Sequence, residues 1–292
     1  MNYLARIEQG FFATTALIAT AGMAAADINL SGYGRFGLNQ SKPSGGVSST
    51  ATENRVNIDI KGSGTNGNLS WGGKVRLRTA GGATATLSGG QVHIGSGNVT
   101  VYAGNIPGPL ESMPGVYAPT VGYTGGNFAN IVTSGDNLAY SSTGAGANGV
   151  QVNYVMGDLT VSAATADGAG DHQLTVAYSA GNLTFAAGVQ QGDVAADDVT
   201  AVTVGYSMGD MSFTAGYGDN NGTKRNALTL GYNVSADTSV TVYVADVSTA
   251  GTDTAFGLGA NHSLGGGVSV GAGIEENTAG TQRAEIGVKF GF

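Results

Sequence analysis

Thr281-Gln-Arg-Ala-Glu-Ile-Gly-Val-Lys-Phe-Gly-Phe292 alternates without a break between apolar Ala284, Ile286, Val288, Phe290 and Phe292 and polar or small Arg283, Glu285, Gly287, Lys289 and Gly291. Successive side chains of a strand point to opposite faces, so a period of two sets one face against an apolar medium and the other against water. A strand in the wall of a membrane barrel meets both conditions. That wall is the hypothesis the rest of the chain has to bear.

The opposite end carries Arg6 beside Glu8, an apolar run from Phe11 to Met23, and small Ala24-Ala25-Ala26. The order of charge, apolar stretch and small residues predicts an export signal over 1–26, cut after Ala26. The run is well short of the roughly 20 residues a helix needs to cross a bilayer. No later stretch approaches that length unbroken, which excludes a helical membrane protein.

Composition narrows the class further. There are 51 glycines without a collagen period and no cysteine, so an exported chain of this kind is held by backbone ladders and burial rather than by disulfides. A net charge of −8 argues against nucleic acid as a partner. Apolar segments recur every ten to fifteen residues, a regularity that disordered chains lack.

Proline marks the architecture, because it cannot donate to a ladder and is kept out of central strands. Pro107, Pro109, Pro114 and Pro119 share one irregular segment, Pro43 lies in another, and everything from Val150 onward is proline-free. In that stretch a unit repeats: Val152-Asn-Tyr154, Val176-Ala-Tyr178, Val204-Gly-Tyr206 and Leu230-Gly-Tyr232, each followed by a turn and a new strand. The unit is a β-hairpin. Short turns alternate with longer polar connections, Asp167 to Asp171, Gly192 to Asp198, Asp219 to Arg225 and Val247 to Asp253. The four tyrosines are expected to form an interfacial girdle on the turn side.

Counting strands from Asp27 to Asn39 through to Thr281 to Phe292 gives sixteen, with Asn137 to Ser142 assigned to the long segment before Gly149. An even number puts both termini of the chain on the periplasmic side and lets the last strand close on the first. The expected fold is therefore all-β, a transmembrane 16-stranded antiparallel β-barrel over 27–292. Lys or Arg on the lipid face near the midplane costs roughly 2–4 kcal/mol. The pattern respects this: Leu69, Trp71, Val75 and Leu77 share one face while Lys74, Arg76 and Arg78 share the other, and Val56, Ile58 and Ile60 oppose Arg55, Asn57, Asp59 and Lys61. Polar inward positions such as Ser162, Thr175, Thr203 and Thr229 predict a wet interior.

The opening Ile28-Asn-Leu-Ser-Gly-Tyr-Gly-Arg-Phe-Gly37, the segment Gly104-Asn-Ile-Pro-Gly-Pro-Leu-Glu-Ser-Met-Pro-Gly-Val-Tyr117 and the final Phe292 resemble the Gram-negative outer-membrane general porins, closest to those of alphaproteobacteria. The resemblance covers the whole chain after the signal. It implies an outer-membrane channel for passive diffusion of ions and small hydrophilic solutes, assembled as a homotrimer in lipid bilayer and lipopolysaccharide. It implies that the third long loop, about 106–148, folds into the lumen and constricts it. It also implies that Phe292 is the signal read by the outer-membrane assembly machinery.

Arg35, Lys42, Arg55, Lys61, Lys74, Arg76 and Arg78 all precede residue 80, and no basic residue follows until Lys224. Adjacent strands one to three therefore put a basic wall, Arg78 included, on one side of the lumen, and the resemblance implies that its Arg35, Arg55, Lys74 and Arg76 face carboxylates on the inward loop. Here that loop offers only Glu111 and Asp136, so the eyelet is expected to be less cation-selective than in relatives, with acidic outer loops attracting cations at the mouth.

Other motifs carry little. Gly32 to Gly37 and Gly62 to Gly67 match G-x-G-x-x-G without the strand-to-helix setting that dinucleotide binding needs. His93, His172 and His262 lack metal-ligand spacing, and no cofactor is expected, although Asp197-Asp198 and Glu275-Glu276 offer carboxylate pairs for a loop-bound calcium ion. A plugged or structural barrel without a pore, and a barrel hydrolase, are the alternatives. The hydrolase lacks any visible constellation of nucleophile, base and orienting group.

Overall fold

The computed structural model describes residues 27–117, 121–124, 130–131, 138, 140–144, 146–167, 170–192 and 198–292. The expected signal at 1–26, together with Asp136 and Asp197, lies outside the described residues.

Sixteen strands build the wall: β1 (Asp27–Lys42), β2 (Ser49–Asn66), β3 (Leu69–Ala80), β4 (Gln91–Ser96), β5 (Val99–Gly104), β6 (Gly149–Met156), β7 (Leu159–Ala166), β8 (His172–Ala180), β9 (Leu183–Gln191), β10 (Val199–Met208), β11 (Met211–Asn220), β12 (Thr223–Asn233), β13 (Thr238–Val247), β14 (Ala255–Gly265), β15 (Val268–Glu276) and β16 (Gln282–Gly291). A two-residue segment, Thr86–Leu87, adds a short rung to β3. Every strand pairs antiparallel with the next, and β16 pairs with β1 from Tyr33↔Gly291 to Lys42↔Gln282. Closure removes the open edge that lipid cannot satisfy. The sixteen strands are those expected from the sequence, with ends shifted by a few residues.

Why these residues turn where they do is visible at one end of the barrel. Gly67, Gly97, Gly157, Gly181 and Gly209 each hold φ at 57–58° at the first position of a two-residue turn, followed by Asn or Asp. This is the glycine-first turn whose twist matches that of paired strands. Tyr154, Tyr178 and Tyr206 lie three residues ahead of three of these turn glycines and, with Tyr232, face outward at 41–47% exposure. They form the expected girdle.

At the other end one expectation fails. Asp219 to Arg225, read as a long polar connection, is a two-residue turn at Asn221 (φ 50°) and Gly222 (φ 83°), with Asn220 paired to Thr223. Asn-Gly favours the turn in which both central residues take positive φ, and this local preference overrides the polarity of its neighbours.

The outer face exposes Ile28, Leu30, Phe36, Leu38, Val242, Leu258, Ile274 and Ile286. Gly32 and Gly34 lie beneath rings of the closing strand of the same barrel. A Cβ on Gly34 would meet the Phe290 ring, and one on Gly32 the Phe292 ring. The side chains of the closing strand fill the space those glycines leave.

The segment expected to fold into the lumen does occupy part of the interior. Ile106, Leu110, Val116 and Ile131 are at most 1% exposed, and all four belong to the segment between β5 and β6. The main apolar core is therefore a loop pressed on the inside of the wall.

Candidate functional site: the constricted lumen

The loop can lie flat because of what the wall presents to it. Ala164 and Ala166 on β7, Ala186 and Gly188 on β9, Ala201 on β10, Gly216 and Gly218 on β11, and Gly259, Gly271 and Gly273 on β14 and β15 leave a shallow bed of small residues. Leu110, Met113, Val116 and Ile131 pack there against Ala186, Val199 and Ala201. Ile106 and Leu138 pack on Ala164 and Ala166, and Val121 packs beside Tyr243, Ala245 and Ala255. Burying each large aliphatic side chain contributes about 1.5–3 kcal/mol. The abundance of glycine, unexplained by turns alone, is thus partly a packing surface.

Polar contacts fix the path. Asn105 joins the two ends of the loop, accepting from the Ser141 N–H at 2.6 Å and donating to the Ser141 carbonyl at 2.8 Å. The Leu110 N–H donates to Gln173 Oε1 at 3.1 Å, and Thr203 Oγ1 donates to the Pro114 carbonyl at 2.5 Å. Across the lumen, Thr124 is clasped at the seam of β1 and β16. Its N–H donates to Glu285 Oε1 at 2.8 Å, its hydroxyl to Glu285 Oε2, and its carbonyl accepts from Arg35 Nη1 at 2.9 Å. Arg283 also donates to Thr124 and lies 3.2 Å from Glu275, whose other oxygen accepts from the buried Tyr243 hydroxyl at 3.0 Å.

Gly122 makes this clasp possible. Its φ is 76°, and a Cβ there would run into the Glu285 carboxylate. Tyr123, beside it, lies where the Cβ atoms of Gly37 and Gly287 would be. Burial and the nearby Glu53 and Glu285 carboxylates raise the pKa of its hydroxyl, so it stays neutral.

Arg35, Arg55, Lys61, Lys74, Arg76 and Arg78 stand on β1 to β3, and their charges are unequally paired. Arg35 is buried and pairs with Glu53, and Arg76 holds Asp59 through two bonds of 2.6 and 2.9 Å. Those two cations are neutralised within the wall. Among the described residues Arg78 binds neutral groups, Asn57 Oδ1 at 2.9 Å and Ser142. Arg55 reaches Glu53 only at 3.9 Å. Lys61 and Lys74 sit directly opposite each other and make no ion pair among the described residues. Among the described residues the uncompensated positive charge is therefore carried by Arg55, Lys61, Lys74 and Arg78. The loop's return leg passes close by, with the Tyr140 hydroxyl oxygen accepting from Arg76 Nη1 at 3.2 Å.

Glu111 lies next to Leu110, over the wall of β8 and β9, about half the barrel's circumference from that basic face. One of its carboxylate oxygens is buried without a partner among the described residues, and burial raises its pKa to about 7. The strand alternation that put Arg55 inward puts Glu53, Asp59, Glu275 and Glu285 inward too. In the sequence that parity already places Asp59 and Glu285 inward, whereas Glu53 and Glu275, which it also identifies, are not singled out there as lumen charges. Glu275 and Glu276 do not converge: Glu275 faces Tyr243 and Arg283 inside, while Glu276 accepts from Gln282 outside. No cluster of three or more His, Asp or Glu suited to a metal occurs among the described residues.

A family model described as Gram-negative porin matches residues 13–282. The porin of Fuscovulum blasticum is 30% identical over 298 residues, spanning 91% of this chain and 100% of that protein. Two substituted variants of the Rh. blastica porin superpose with TM-scores of 0.83 and 0.82 at 25% and 24% identity, each covering 91% of this chain and 100% of the solved one.

Proposed function

This chain belongs to the Gram-negative porins, and from that premise we propose that its constriction is a weakly selective filter in which a basic wall opposes an acidic mouth. The protein is an outer-membrane β-barrel channel for passive diffusion of ions and small hydrophilic solutes. The observation that carries the selectivity reading is the imbalance inside the eyelet. Arg55, Lys61, Lys74 and Arg78 lack full carboxylate partners, whereas the described part of the inward loop contributes only Glu111. Fixed charge in a narrow, low-dielectric passage sets the local concentration of counter-ions. Asp136 adds at most one further negative charge.

The filter is pH-dependent. With its pKa near 7, Glu111 is neutral below that value and anionic above it, so raising the pH from 6 to 8 adds one negative charge opposite the basic wall. Reversal potentials in a salt gradient are expected to move toward cation preference over that interval, and Glu111→Gln to flatten the change. Strong cation selectivity already present at pH 6 would contradict the reading.

The channel is proposed to work without catalysis or cofactor. Residues 1–26 are proposed as the export signal and 27–292 as the barrel. A homotrimer in lipopolysaccharide-containing membrane is the proposed assembly, and conductance steps grouped in threes would support it. The outward faces of β1 and β16 would then meet a neighbour through the rings of Phe290 and Phe292 rather than through bare glycine.

A further inference from the structure

Beneath the first turns of the inward loop lies a recess of about 370 Å³, on the side of the constriction where the tight turns are. That volume falls in the range of small-molecule sites. Its wall is the inner face of β6, β7 and β8, and its ceiling is the loop segment from Pro109 to Pro114. In a lumen otherwise rich in charge it is neutral, with Asp158 at the turn its one ionisable group.

The polar groups in it are matched to hydroxyls. Ser162 and Thr175 are each 6% exposed, line the recess, and take no side-chain hydrogen bond among the described residues. A hydroxyl is both donor and acceptor, which is also the character of a polyol. Gln151 Nε2 donates to Asn153 Oδ1 at 2.8 Å, leaving the Gln151 carbonyl as an acceptor and the Asn153 amide N–H groups as donors. Pro109 and Pro114 add apolar surface for the C–H faces of such a solute. An anion would find no cation here, and a metal ion only one carboxylate. The ceiling is held in place by the bonds from Leu110 to Gln173 and from Thr203 to Pro114.

We propose that this recess is a binding subsite for small neutral polyhydroxylated solutes, such as sugars, on their way past the constriction. The proposal rests on the diffusion-channel reading. It makes passage of such solutes saturable, and it makes entry easier from the tight-turn side.

Single-channel current through the full barrel in planar bilayers tests it, with trehalose as probe and a polyethylene glycol of equal mass as the control for viscosity. Trehalose is expected to lower the current along a saturating curve, more readily from the tight-turn side, while the glycol lowers it linearly. Ser162→Val with Thr175→Val should raise the half-blocking concentration about tenfold, the effect of losing one to two ordinary hydrogen bonds, with the sugar-free current unchanged. Asn153→Leu gives the same readout if the pair of substitutions fails to fold. Linear decline with trehalose, or saturation unaffected by either variant, overturns the subsite while leaving the channel intact. Absence of current without sugar would instead overturn the channel reading itself.

Discussion

Gly122→Val and Glu285→Ala each free the inward loop from the barrel seam and raise single-channel conductance. In the first, a side chain is forced onto a backbone at φ 76°, where its Cβ meets the Glu285 carboxylate. A non-glycine residue held in that region costs on the order of 1–3 kcal/mol before any clash is counted. In the second, the Thr124 N–H and hydroxyl and the Arg283 guanidinium lose their shared acceptor in a buried place. Removing one partner of a buried, hydrogen-bonded charge costs roughly 3–5 kcal/mol. At 1.4 kcal/mol per factor of ten, the detached population rises by about two to three orders of magnitude. Glu285→Gln, which keeps one acceptor, should fall between. The check is conductance on barrels first shown by heat-dependent gel migration to be folded. Conductance equal to that of the parent in both variants would mean that the clasp does not hold the loop.

Removal of Phe292 is expected to cost assembly rather than conduction. Its backbone exchanges two hydrogen bonds with Gly32, the Gly32 N–H donating at 2.8 Å and the Phe292 N–H at 3.1 Å. Its ring lies over Gly32, 6.4 Å from that of Phe290. Deletion therefore unpairs the first strand where the barrel closes, and each unsatisfied backbone group in an apolar medium costs several kcal/mol. Phe292→Ala keeps the backbone pair and removes the ring. If the ring is also the address read during assembly, Phe292→Ala should insert poorly in cells yet refold into vesicles, whereas the deletion should fail in both. Normal insertion of Phe292→Ala in cells would limit the residue to a structural role at the seam.

Most of the wall was legible because the period of two is local. It needs no knowledge of partners, and Thr281 to Phe292 displays it in full. Lipid enforces it, since one misplaced charge is costly. What lay between β5 and β6 was less legible, because nothing in Ile106 to Asn148 states where on the wall it will rest. The bed that receives it is spread over β7 to β16 as single small residues, one or two per strand, and glycine in a strand reads as a turn or a weakness rather than as half of an interface. The basic wall was found from clustering in sequence. Its pairing was not, because Glu53 and Asp59 sit among the cations and decide which of them remain free. Thr124 gave no sign of its role: an ordinary residue becomes an anchor through acceptors and donors some 160 positions away.

The chain contains no cysteine, so a single introduced thiol reports its own surroundings. Lys74→Cys places one on the inner face of β3, opposite Lys61, and Val75→Cys places one on the outer face of the same strand. Single-channel current is recorded while a charged, water-soluble thiol reagent is added. A water-filled lumen constricted beside β3 requires a stepwise fall in current for Lys74→Cys and none for Val75→Cys. Steps from Val75→Cys, or an untouched current from Lys74→Cys, would contradict it.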